Sequence, residues 1–133
     1  MIHRPSIGFV LVAVAGLALG SCSSGSSKED RLLSELANLD KETIYERAEA
    51  LYQDQDYDEA RRYFSFVYDT FPNDPLGRKA ALRVADTFAM ARDATSLTEA
   101  RLRYRDFANR YPNDPDRDYA LLMVGHTYTS RKL

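Results

Sequence analysis

Residues 71–75 read FPNDP, and residues 111–115 read YPNDP, forty positions later. At the same offset, the tripeptide EAR at 59–61 aligns with EAR at 99–101. The matching residues follow helical spacing, and each copy ends at a proline, which breaks a helix. The chain therefore contains an internal repeat, and a repeat of this length is typical of a solenoid.

The repeated segments have the pattern of amphipathic helices. From Leu32 onward, apolar residues recur every three or four positions, and no window alternates as a strand would. Turn-forming sequences separate the helices: QDQD at 53–56, PNDP at 72–75, RDATS at 92–96 and PNDP at 112–115. Asp56 and Ser96 are predicted N-caps, because each precedes a glutamate by three residues, as in a capping box. The sequence predicts paired helices and an all-α fold.

The pairs resemble tetratricopeptide repeats, beginning with the phrase DYDEA at 56–60. When Pro72 and Pro112 are taken as the closing prolines, small and large residues alternate on the family's packing positions. These positions are Ala48, Ala60, Phe64 and Val67 in the first copy, and Ala85, Ala100, Tyr104 and Phe107 in the second. The second copy carries three additional residues between its helices, within RDATSLT at 92–98.

The resemblance implies a right-handed tetratricopeptide-repeat solenoid with two complete helix pairs and one further helix. The repeats are predicted at about 41–74, 78–114 and, in part, 118–133, within a domain over residues 31–133. Aromatic residues in the repeats are interpreted mainly as core.

The N-terminus has the features of a signal peptide over residues 1–21. Arg4 supplies a positive charge, and the apolar stretch at 7–20 is shorter than the roughly 20 residues that span a bilayer. The sequence LGSC at 19–22 resembles the bacterial lipobox, in which the cysteine is lipidated and becomes the first mature residue. An ordinary secretory peptide that leaves Cys22 as a free thiol is the alternative. Residues 22–30 are predicted to form a flexible tether.

A narrower resemblance lies in residues 104–126, YRDFANRYPNDPDRDYALLMVGH. This stretch resembles the junction of the second and third repeats in the BamD family of outer-membrane assembly lipoproteins. The matching residues are Phe107, Tyr111, Pro112, Asp118, Tyr119, Ala120 and Gly125. With the lipobox, the resemblance covers about residues 19–133. The family carries more repeats, and Asp106 stands where it has arginine, so a fragment and a shortened relative both stay open.

The resemblance implies a lipid-anchored scaffold of the β-barrel assembly (Bam) complex, on the periplasmic face of a Gram-negative outer membrane. Its partners would be other Bam subunits, unfolded outer-membrane proteins and the membrane, reached through palmitate on Cys22. The formal charge of −2 and the scattered basic residues argue against a nucleic-acid partner. The alternative is a Tol–Pal-associated periplasmic repeat protein that coordinates the envelope with cell division, although that family usually lacks a lipobox.

Motifs for catalysis, phosphate binding and zinc binding are absent from the sequence. The only cysteine is Cys22, and His126 is interpreted as an ordinary helix residue. We therefore expect a protein that is not an enzyme and that carries no cofactor or metal other than a covalent lipid on Cys22.

A tetratricopeptide solenoid offers a concave surface that suits peptides. The repeat spacing predicts ten residues on that surface, with packing between helices as the alternative for each. They are Tyr45, Glu49, Tyr52, Lys79, Leu82, Asp86, Met90, Tyr119, Leu122 and His126.

Overall fold

The computed structural model describes residues 24–130. Within this range the chain forms six α-helices and no strand. They are α1 (Ser24–Leu36), α2 (Lys41–Gln53), α3 (Tyr57–Thr70), α4 (Pro75–Ala91), α5 (Ala94–Arg110) and α6 (Arg117–Thr129). The predicted signal peptide and Cys22 lie outside the described residues.

The helices stack in the order of the chain. From α2 to α6, each helix packs against the next one, and α2 also contacts α4. Contacts between the first helices of successive pairs are expected when helix pairs stack into a solenoid. The prediction of an all-α tetratricopeptide-repeat solenoid is therefore confirmed.

Aspartate side chains cap α2, α3, α4 and α5, and only one of the two predicted caps is confirmed. Asp56 caps α3, and its Oδ1 accepts a hydrogen bond from the backbone N–H of Glu59 at 3.4 Å. The Ser96 prediction is wrong, because Asp93 caps α5 and accepts from the backbone N–H of Ser96 at 2.9 Å. Ser96 therefore lies inside the first turn, where its own N–H is one of those that need a cap.

The three additional residues of the second copy lengthen a helix. Helix α5 has 17 residues and α3 has 14, because α5 begins three positions before the point that aligns with Tyr57. The turn before α5 is correspondingly short, and Arg92 adopts a left-handed conformation with φ of 59°. The turn before α3 also contains a left-handed residue, Gln55 with φ of 66°, so both turns reverse the chain in the same way and the inserted residues extend α5.

Helix α1 covers part of the segment for which a tether is predicted. The structure continues α1 through residues 24–30, whereas the composition favours an irregular chain. Leu36 is buried in the core at the other end of α1, and Leu32 packs against the same cluster. Packing of these leucines supports helix formation further back along α1, because helices gain most of their stability from tertiary contacts. A linking role for residues 22–30 stays a prediction.

The core contains the residues that the repeat alignment predicts at its packing positions. All eight small and large packing residues are buried, each with at most 3% of its surface exposed. The first-copy residues lie in one cluster and the second-copy residues in another, and Phe88 packs against both. The interpretation of the aromatic residues at these positions as core is confirmed.

The internal repeat extends to partly buried polar contacts. Arg61 donates to Thr87 Oγ1 at 3.0 Å, and forty residues later Arg101 donates to Thr127 Oγ1 at 3.2 Å. Each guanidinium also lies 3.8 Å from the ring centroid of the aromatic residue after its threonine. The second helix of each pair thus fastens to the following helix by the same hydrogen bond and the same cation–π contact.

Leucine at either crossing alanine is expected to destabilise the fold. Ala60 and Ala100 have no exposed surface, so Ala60→Leu or Ala100→Leu must force the neighbouring helices apart. We expect each to lower the free energy of unfolding by about 1–3 kcal/mol in chemical denaturation. Ala50→Leu, at an exposed position of α2, is the matched control. Equal stability of all three variants would contradict the repeat alignment.

Candidate functional site

Six of the ten predicted binding residues lie together on α2, α4 and α6, which are the first helices of successive pairs. We call this surface the α2–α4–α6 face, and the six residues are Tyr45, Glu49, Tyr52, Lys79, Asp86 and Tyr119. The centre of the face is Arg83. The Nε and Nη2 atoms of Arg83 donate to the two carboxylate oxygens of Glu49 at 2.7 and 2.5 Å. Its Nη1 donates to Asp86 Oδ2 at 3.0 Å, and its guanidinium lies 4.1 Å from the ring centroid of Tyr52. Paired bonds of this kind are directional, so Arg83 holds α4 against α2.

Asp86 connects α4 to both of the following helices. Its side chain is buried, and Oδ1 accepts hydrogen bonds from the hydroxyls of Tyr104 at 2.6 Å and Tyr119 at 2.9 Å. Burial, and then the charge of Asp86, raise the pKa of both tyrosines well above the usual value. Both hydroxyls therefore stay protonated at neutral pH and act as donors to the carboxylate.

Glu49 is kept ionised by Arg83. Burial alone would raise the pKa of the Glu49 carboxyl group, but the hydrogen bonds of Arg83, the nearby Tyr45 hydroxyl and the charge of Arg83 together outweigh burial and lower it. One turn earlier, Tyr45 packs edge-on against Phe64, with ring centroids 5.3 Å apart. The Tyr45 hydroxyl is buried and makes no hydrogen bond of normal geometry, although burial and the nearby Glu49 raise its pKa.

The other predicted residues differ in what they can offer a ligand. Leu82 is 4% exposed and belongs to the core, so it presents little surface. Lys79 is exposed, and its amine lies 5.7 Å from the ring centroid of Tyr45. Met90 and Leu122 are exposed apolar side chains. His126 is exposed, and its Nδ1 lies 3.0 Å from Ser130 Oγ.

The structure thus joins Glu49, Tyr52, Asp86 and Tyr119 through Arg83 and Asp86. Tyr45 lies beside Glu49, and Lys79 contacts the ring of Tyr45. Two members of the network are missing from the sequence prediction. Arg83 precedes Asp86 by three residues on α4, so helical spacing alone could have identified it. Tyr104 is predicted as core, and it is core, but its hydroxyl also belongs to the network.

A comparison with protein families matches residues 37–132 to the YfiO family, described as outer membrane lipoprotein. The chain belongs to the YfiO family. The match includes helices α2 to α6 and therefore the whole α2–α4–α6 face. Among curated proteins, none matches this chain.

Membership in the YfiO family agrees with the resemblance to outer-membrane lipoproteins. Lipidation of this YfiO-family chain stays a prediction, because Cys22 lies outside the described residues. Between Ser24 and Ser130, no helix combines the length and the apolar character needed to cross a membrane. The same part of the chain has no group of three or more acidic, histidine or cysteine side chains that could hold a metal ion.

Proposed function

We propose that this protein is a lipid-anchored, non-enzymatic scaffold of the Bam complex on the periplasmic face of the outer membrane. In this proposal the α2–α4–α6 face binds the C-terminal segment of unfolded barrel proteins, and other surfaces contact partner Bam subunits. Membership in a family of outer membrane lipoproteins supports the anchored location.

One observation carries the peptide-binding part of the proposal, namely the environment of Tyr119. This side chain is 42% exposed, yet its hydroxyl is fixed by the buried carboxylate of Asp86. An exposed ring that is already held in place loses little conformational freedom when a ligand packs on it. Leu122, on the same helix and 70% exposed, extends this apolar surface.

The anchoring part of the proposal depends on Cys22. Each buried CH₂ of an acyl chain contributes about 0.8 kcal/mol, and a single chain gives only marginal binding. A cysteine with several acyl chains, palmitate among them, would hold the domain on the membrane. Mass spectrometry of the mature N-terminal peptide should find acylated Cys22, and an unmodified thiol there would exclude this anchor.

Peptide binding is tested by titrating the mature protein into a fluorescent peptide that ends in an aromatic residue, like the C-terminus of a barrel protein. Replacing both Tyr119 and Leu122 by alanine removes the two exposed apolar side chains of α6 on which the proposal rests. We expect this change to weaken binding by about 2 kcal/mol or more, as for anchor residues at other interfaces. Anisotropy gives the affinity, and far-UV circular dichroism checks that the helices persist.

Leu102→Ala is the matched control, because Leu102 is 51% exposed on α5, away from the α2–α4–α6 face. It should leave the affinity unchanged. If the wild type and the double variant at Tyr119 and Leu122 bind the peptide with equal affinity, the binding site does not include these side chains. A wild-type protein that does not bind the peptide would reject this function for the domain.

A further inference from the structure

We infer that a peptide on the α2–α4–α6 face lies in one direction, with its terminal carboxylate at Lys79 and its preceding apolar residues over α6. This inference rests on the proposed function, and it names the subsite that recognises the end of the ligand. It follows from the different chemistry of the two sides of the face.

Arg83 is poorly suited to receive the terminal carboxylate. Both oxygens of Glu49 and one oxygen of Asp86 already accept hydrogen bonds from its guanidinium. Two negative charges therefore surround one positive charge, and the group as a whole carries a charge of −1 when both acids are ionised. A third carboxylate placed there would be repelled by the first two.

Lys79 has the opposite character. It is exposed, and it forms no ion pair among residues 28–130. Its effect on Glu49, whose pKa it helps to lower, is a minor one beside that of Arg83. Lys79 is therefore the cation of this face whose ammonium group can donate hydrogen bonds to an incoming carboxylate.

The position of Lys79 sets the direction of the peptide. Lys79 and Asp86 are seven residues apart on α4, which corresponds to about 10 Å along the helix axis. The amine of Lys79 reaches toward Tyr45 on α2, whereas Tyr119 and Leu122 lie on α6. The cation and the exposed apolar side chains therefore lie on opposite sides of the Arg83 network.

The Lys79 amine lies over the ring of Tyr45, whose hydroxyl is buried beside Glu49 and is not open to the ligand. A peptide in the reverse direction would bring its carboxylate to α6. There the Tyr119 hydroxyl already donates its hydrogen bond to Asp86, so it is not available to the peptide carboxylate. Lys79, an exposed cation that forms no ion pair among residues 28–130, therefore lies toward α2, and the exposed apolar side chains Tyr119 and Leu122 lie on α6.

The test is a double-mutant cycle between the ligand and the protein. Two fluorescent peptides, identical except for a free or an amidated C-terminus, are titrated with wild-type protein and with Lys79→Gln. Against the wild type, amidation should weaken binding about 3- to 10-fold, the range for a partly exposed charge-assisted contact. Lys79→Gln should weaken binding of the free-acid peptide by a similar factor, and amidation should then have no further effect.

Arg105→Gln controls for the change in net charge, because Arg105 is an exposed cation on α5. In this variant amidation should weaken binding as much as in the wild type. Equal effects of amidation on the wild type and on Lys79→Gln, or no effect on the wild type, would overturn the inference while leaving peptide binding intact. Failure of the wild type to bind either peptide would instead reject the proposed function, and this inference with it.

Discussion

Replacing Asp86 by alanine is expected to lower the free energy of unfolding by about 3–5 kcal/mol, because three hydrogen-bond donors lose a buried acceptor and each buried donor left unsatisfied costs about 1–3 kcal/mol. Asp86 is 6% exposed and accepts hydrogen bonds from Tyr104, Tyr119 and Arg83. The substitution leaves the hydroxyl of the fully buried Tyr104 without its acceptor. It also leaves the Nη1 donor of Arg83 without its acceptor, Asp86 Oδ2, although Glu49 still balances the charge of Arg83.

Urea unfolding followed by circular dichroism measures this loss. Asp86→Asn should fall between the wild type and Asp86→Ala, because asparagine keeps one acceptor oxygen and the shape of the side chain but removes the charge. Asp106→Ala, at an exposed position in the middle of α5, is the control and should change stability by no more than about 0.5 kcal/mol. A loss for Asp86→Ala no larger than that of Asp106→Ala would mean that the network contributes nothing to stability.

Gly77→Ala is expected to lower the free energy of unfolding by about 3 kcal/mol, at the upper end of the range for overpacking. A Cβ atom on Gly77 would lie 1.9 Å from the carbonyl oxygen of Phe71 and 2.7 Å from its carbonyl carbon. Both are backbone atoms, so no side-chain rotation relieves the contact. The Phe71 carbonyl also accepts a hydrogen bond from the N–H of Asp74 at 3.0 Å, which ties it into the turn before α4.

Gly125→Ala is the matched control for this clash. Gly125 also lies inside a helix, but a Cβ atom there would meet nothing within 4 Å. Alanine in a helix is more favourable than glycine by up to about 1 kcal/mol, so this variant should be as stable as the wild type or more stable. Thermal melts in which both alanine variants gain stability would show that the turn before α4 can open to admit a methyl group.

The fold follows from patterns that are local in the sequence. The eight packing residues predicted from the repeat are all buried, because a helical period places them on one side of each helix whatever the neighbours are. The cap at Asp56 is correct for the same reason, since it involves contacts only three residues apart. The prediction that Ser96 caps α5 is wrong because two polar residues, Asp93 and Ser96, are both suited to be the N-cap. The sequence pattern favours the serine with its glutamate, whereas the short turn at Arg92 starts α5 at Ala94.

The candidate site is less evident from the sequence than the fold is. Repeat spacing brings Glu49, Asp86 and Tyr119 to one face, and contacts in the structure join them. The same spacing cannot tell that Leu82 is buried while Leu122, at the equivalent position forty residues later, is 70% exposed. The difference depends on the packing around each residue: Leu82 lies in a cluster with residues of α5 and α6, and α6 packs mainly against α5.

The sequence by itself determined the helix pairs, their order and the residues that fill the core. Those features depend on periodicity and on side-chain size over short stretches of chain. Only the tertiary structure decided that Arg83 joins Glu49, 34 residues away, and that Asp86 joins Tyr119, 33 residues away. It also decided that Gly77 must be a glycine, since the atom it avoids belongs to the preceding turn. Hydrogen bonds and close contacts change over fractions of an ångström, and helix crossing sets distances on that scale, whereas sequence spacing specifies only which side of a helix a residue occupies.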